Sequence, residues 1–467
     1  MKRSIFFGQP YLYALLMAAT FIFASCNQAD QQKKNTNEAL SGTVPHPEWS
    51  KDAILYEVNV RQFTPEGTFN AFAEHLPRIK EMGVDILWFM PVTPIGQTNR
   101  KGSLGSYYSV QDYTAINPEF GTMEDFKSLV EQIHALDMHV IIDWVANHTA
   151  WDHDWTTTHP EYYHTDSLGN FTPPYDTDWT DVIQLDYDNK DLWSAMTEEM
   201  KFWVEEMNID GFRCDVAYLV PEDFWDMARA ELEEVKPVFM LAEADHPELM
   251  ENAFNTGYSW TFHHAMNGIA QGTDSVASLN RYFFEENQGN YPDGAYKINF
   301  ISNHDENSWA GTVFERLGEA METFAVLANT APGMFLIYNG QEAALDKRLD
   351  FFEKDTINWD DLQYQDFYTT LFELKAENKA LWNGNAGGAI EKVTTSKDDR
   401  VFAFSRMKDD NKVFVVTNLS DSNTSVSFIE GDFTGTWNEL YSDEQVIIDK
   451  SFNLEMEPWE YKVYYWN

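Results

Sequence analysis

At 467 residues the chain exceeds one ordinary domain, and with 43% hydrophobic and 15% aromatic residues it can bury a large core, which excludes disorder as its main state. Its 32 Lys and Arg stand against 76 Asp and Glu, a net charge of −44 that repels phosphates and so excludes nucleic acid or an anionic membrane surface as a partner. A neutral polymer would feel little of this field, and excess acid keeps an exported chain soluble.

The chain opens Met1-Lys2-Arg3, runs mostly apolar over 5–23 and then reads Ala24-Ser25-Cys26. A positive start, an apolar middle and small residues before a cut predict a signal peptide over 1–25. Its end resembles a bacterial lipoprotein cleavage box, with Phe23 in place of the usual Leu, which makes Cys26 the lipidated first residue of an exported, lipid-anchored chain. Membrane contact would then be through the lipid only. The polar stretch 26–48 reads as a flexible tether. The remaining cysteine, Cys214, leaves no intramolecular disulfide once Cys26 is lipidated.

Beyond the tether, strands are predicted at 54–60 and 85–92 with a helix over 70–82 between them, a βαβ spacing. A long loop rich in Gly, Ser and Tyr fills 93–122, and loops of that length in a compact domain are usually functional. A helix over 123–136 leads to a third strand ending at Asn147-His148. The stretch 149–185 has no long helical pattern. A helix over 190–207 precedes the strand around Phe212, and another over 221–235 precedes the strand ending at Glu243. Further strands are expected at 258–263, 298–302 and 334–338, bringing the count to eight. From 383 onward, alternating segments such as Val401-Phe402-Ala403-Phe404 and Val413-Phe414-Val415-Val416 read as an antiparallel β-sandwich.

Four of the strands end in ionisable groups: Val140-Ile141-Ile142-Asp143 with Asn147-His148, Phe212-Arg213-Cys214-Asp215, Leu241-Ala242-Glu243, and Ile301-Ser302-Asn303-His304-Asp305. That is what a parallel barrel with its site at the strand carboxyl ends requires. Arg213 and Asp215 fall on one face of a period-2 strand, so a guanidinium would hold Asp215 ionised, fit to be a nucleophile, and would turn Cys214 away towards the helices. Glu243 has no cation near it in sequence and suits the protonated acid. A zinc pair at i, i+4 is absent from the 12 histidines.

In this order the four segments resemble the signature regions of the α-amylase family of glycoside hydrolases. The resemblance implies an α/β fold, a (β/α)8 TIM barrel over 49–382 with a domain B inserted at about 149–185 after strand 3, and a C-terminal antiparallel β-sandwich over 383–467. It implies Asp215 as nucleophile, Glu243 as general acid/base and Asp305 as third carboxylate, with Tyr108, His148, Arg213 and His304 holding substrate. It makes Asn147 a candidate calcium ligand, with Asp176, Asp178 and Asp181 as candidate partners in domain B. The activity implied is retaining, endo-type hydrolysis of α-glucosidic, mainly α-1,4, bonds in starch-derived glucans, the two carboxyls lying about 5–5.5 Å apart. Val216-Ala217-Tyr218-Leu219 lacks the Lys-His pair that many α-amylases carry at 218 and 219. Neopullulanase or cyclomaltodextrinase activity, α-1,6 cleavage, transglycosylation as in a trehalose synthase, and a non-catalytic glucan-binding role therefore stay open.

Overall fold

The computed structural model describes residues 44–286, 291–292, 294–442 and 444–466. The leader, Cys26 and most of the tether lie outside the described residues. Eight parallel strands close into a barrel: β1 (Leu55–Val58), β2 (Ile86–Phe89), β3 (His139–Trp144), β4 (Gly211–Cys214), β5 (Phe239–Ala242), β6 (Thr256–Tyr258), β7 (Tyr296–Phe300) and β8 (Met334–Tyr338), with β1 paired to both β2 and β8.

The strands are mostly apolar because each buries both faces. Phe239 and Leu241 of β5 pack inside the barrel with Leu55, Ile141, Ile298 and Leu336, while Met240 and Ala242 face the helices. Phe212 and Cys214 of β4 likewise face outward, which sends Arg213 inward. Gly211 opens that strand against its neighbour so closely that a Cβ there would lie 1.8 Å from the Phe239 carbonyl oxygen.

Several boundaries differ from the sequence expectation. The helix expected over 70–82 is two, Phe69–Ala73 and Leu76–Glu81, because Pro77 can open a helical turn but cannot continue one. The strand expected at 258–263 is wrong: β6 ends at Tyr258, and Trp260–Ala270 is a helix that buries Phe262, Ala265, Met266 and Ile269 at helical spacing. Strand β7 begins at Tyr296, two residues earlier than expected. The helix Met123–Ala135 starts where a capping box of Thr122 and Asp125 satisfies its first amides.

Between β3 and β4 the chain leaves the barrel and returns, and its ends are tied by antiparallel pairing of His148–Ala150 with Val182–Gln184. The C-terminal part is a six-stranded and a three-stranded antiparallel sheet around Phe414, Val416, Val426, Phe428, Trp437 and Tyr464. A buried cation joins it to the barrel through a carbonyl: Arg406 donates to Thr330 O (2.9 Å).

Candidate active site

All the ionisable strand ends converge at one mouth of the barrel. At its centre is Arg213, fully buried. Its Nη1 donates to Asp143 Oδ1 (2.8 Å) and Asp215 Oδ1 (3.0 Å), its Nε to the Tyr258 hydroxyl (3.3 Å), and its Nη2 lies 3.0 Å from Glu243 Oε1. The neighbouring strands β3, β4 and β5 thus deliver three carboxylates to one guanidinium. Asp143 is fully engaged, since its Oδ2 also accepts from Trp88 Nε1 (3.2 Å) and the Tyr108 hydroxyl (3.0 Å).

This arrangement corrects one expectation. Glu243 does have a cation beside it, and Arg213 is shared rather than reserved for Asp215. Burial and the facing Glu243 carboxylate push Asp215 well above the usual carboxylate range, with Arg213 opposing. Burial also raises Glu243, against the pull of Arg213. Both carboxyls are therefore shifted upward around the one cation that they share. Glu243 Oε2 accepts the backbone N–H of Val216 (2.7 Å), and Val216 adopts φ 37°, ψ 46°, left-handed backbone that a β-branched residue rarely takes.

A second hub is His304. Its Nδ1 lies 2.5 Å from Glu57 Oε1, and its Nε2 lies 2.8 Å from the Tyr108 hydroxyl and 3.3 Å from Asp305 Oδ2. Burial alone would lower His304; the charges of Asp305 and Glu57 win, and it is raised to about 9. Burial raises Glu57, with the imidazolium opposing. Tyr108 stacks on His304 with ring centroids 5.5 Å apart. His148, by contrast, is lowered to about 4 by burial, so it faces the cleft as a neutral ring. Asp305 is the most open of the acids, its side chain 39% exposed.

These groups line a cavity of about 590 Å³, a volume typical of small-molecule sites. Trp179 from the excursion after β3, Trp309 from the segment after β7, and Phe351 and Phe352 from the loop after β8 complete its walls. Sequence reading missed these four aromatics, three in loops and Trp309 in the short π-helical turn Glu306–Ala310, and also Glu57. Phe351 lies nearly parallel to Tyr108 at 6.3 Å, and Trp309 lies 5.3 Å from it. Outside this cavity's lining, Tyr218 stacks on His246 at 5.5 Å and is half exposed.

The residues do not fit the expected calcium ion. Asn147 is buried, but its Oδ1 accepts from Gln184 Nε2 (2.9 Å). Asp181 pairs with Lys101 (3.3 Å), and Asp176 and Asp178 are exposed. Among the described residues no group of three or more His, Cys, Asp or Glu side chains converges as metal ligands would.

A parallel barrel that gathers buried carboxylic acids at its strand carboxyl ends, under a cleft walled by aromatic rings, is built for acid–base chemistry on a polar ligand with apolar faces. Two family descriptions match the chain: "Alpha amylase, catalytic domain" over residues 23–182 and 175–383, and "Alpha amylase, C-terminal all-beta domain" over 393–461. The chain belongs to the α-amylase family and is an enzyme acting on glycosidic bonds. It is 26% identical to α-amylase 3 of Dictyoglomus thermophilum over 452 residues, 81% of this chain and 87% of the relative. It is 25% identical to an α-1,4-glucan:maltose-1-phosphate maltosyltransferase of Picrophilus torridus, over 89% of this chain and 68% of the relative. Among solved structures, a noncanonic maltogenic α-amylase, AmyB, from Thermotoga neapolitana superposes with TM-score 0.81 at 29% identity, over 89% of this chain and 99% of that one.

Proposed function

We propose that the chain hydrolyses α-glucosidic, mainly α-1,4, bonds within starch-derived glucans and retains the anomeric configuration through a glycosyl-enzyme ester. The observation that carries this reading is the Arg213 hub, which brings Asp215 and Glu243 from adjacent strands to a single guanidinium. Asp215 Oδ attacks the anomeric carbon as the glycosidic C–O bond breaks, and Glu243 gives its proton to the leaving oxygen. Glu243 then takes a proton from water, whose oxygen attacks the same carbon and releases the Asp215 carboxylate.

Asp305, His304 and His148 bind the hydroxyls of the sugar being cleaved, and Tyr108 offers its face to the apolar side of the ring. Aromatic surface at Trp309 and Phe351 on the His304 side, and at Tyr218 beyond Val216, supports sugar binding on both sides of the cut, as an endo mode requires. Residues 1–26 support export with a lipid on Cys26. Labelled palmitate should attach to the chain and not to a Cys26→Ala variant.

A second reading has its own support. Tyr218 stacked on His246 stands where a glucan-binding Lys-His pair is missing, and such a platform would hold a sugar acceptor in place of water. The test is a product time course on amylose, pullulan, a cyclodextrin and isomaltose, with the first anomer read by proton NMR. Short α-configured maltooligosaccharides from amylose support hydrolysis within the chain. Transfer products longer than the substrate favour the second reading, and a β-configured first product overturns the ester.

A further inference from the structure

The loop excursion after β3 leaves the barrel at Asn147 and returns at Leu185, and three neutral oxygens converge there. Asn147 Oδ1, Asn147 O and Leu185 O lie 2.9, 3.2 and 3.3 Å from one atom, the side-chain nitrogen of Gln184. The Leu185 N–H adds a bond to Asn147 O (3.1 Å), and His148 pairs with Gln184 in the short antiparallel ladder.

An amide NH2 brings two donors and no net charge. A hard divalent cation in the same place would need several more oxygens, carboxylates among them. The acids nearest in the chain are used elsewhere: Asp186 Oδ1 accepts the Asp188 N–H (3.1 Å), and Asp181 Oδ1 is 3.3 Å from Lys101 Nζ. That ammonium also donates to the Asp178 carbonyl (2.8 Å), tying the loop after β2 to the far part of the excursion.

We propose that the Gln184 amide occupies the place of a divalent cation, so that this wall of the cleft is held to the barrel by protein donors and needs no metal. The inference rests on the excursion's own contacts and stands whatever bond the enzyme cuts.

The test uses the purified full-length chain, measuring calcium content by mass spectrometry after exhaustive dialysis and thermal melting in chelator and in excess calcium. The wild type should carry no stoichiometric calcium and melt at the same temperature in both. Gln184→Asp puts a carboxylate among the three oxygens; it should bind about one calcium and melt several degrees higher with calcium than with chelator. Gln184→Met, which removes the donor and leaves Asn147 Oδ1 unpaired, should melt lower than wild type with no rescue by calcium. Stoichiometric calcium in the wild type, or melting that falls when chelator is added, would overturn the proposal even if neither variant folds.

Discussion

The two cationic hubs of the site are built differently. Arg213 is permanently charged, rises from the middle of a strand and is surrounded by three acids, so its charge is fixed and the protons of the acids around it are what move. His304 lies beyond a strand end, and its charge is set by its neighbours: burial lowers it, and the charges of Asp305 and Glu57 raise it. The first hub is suited to sharing a proton between two carboxyls, the second to holding a binding surface in one charge state. Its hydroxyl-binding role would therefore depend on a glutamate buried beneath it, in the first strand of the barrel.

The strongest way to break the contrast is at the first hub. Asp215→Asn and Glu243→Gln should each cost on the order of 10³–10⁴-fold in kcat with the fold retained, as steady-state rates and circular dichroism would show. Near-normal rates in either would remove that residue from the chemistry.

At the second hub, Glu57→Gln removes the charge that supports the imidazolium. The alkaline limb of the activity profile should fall by about 1–3 pH units, with loss concentrated in KM. The same group predicts a stability signature. Because His304 is raised from 6.5 to about 9 in the folded chain, its contribution to stability is complete below pH 6.5 and is lost as pH rises through about 9. Wild-type melting temperature should decline over that window more steeply than that of Glu57→Gln.

The smallest effect belongs to the join between the hubs' chemistry and the backbone. Val216→Gly would release left-handed strain worth about 1–3 kcal/mol but give up a buried side chain of similar value, so the net change in chemical denaturation should stay within about 1 kcal/mol. Glycine keeps the N–H that Glu243 accepts but loosens the backbone that aims it, and kcat should drop several-fold without a matching change in KM. An unchanged kcat would mean that the strained residue does not position the acid.

Much of this was legible in the chain, for physical reasons. Four apolar runs ending in acid or histidine can satisfy those groups only at a shared polar mouth, and period-2 alternation placed Arg213 beside Asp215 and sent Cys214 outward. What lay hidden was long-range. Glu57 in an apolar strand gives no sign of pairing with a histidine 247 positions later, and the cation that Glu243 meets is 30 residues away in sequence. Ser259 and the aromatic run after it read as a strand because helical spacing shows only once Ala265, Met266 and Ile269 are included. Gln184 carries no signal of its own in the sequence, since its value comes from the oxygens that surround its amide.

The most direct test of the central claim is peptide mapping after the Glu243→Gln variant has reacted with a maltosyl fluoride. This donor needs little acid assistance and so forms an ester faster than the variant can hydrolyse it. The peptide containing Asp215 should gain the mass of one maltosyl group, and Asp215→Asn should abolish the adduct. No covalent adduct, or an adduct on Asp305, would contradict it.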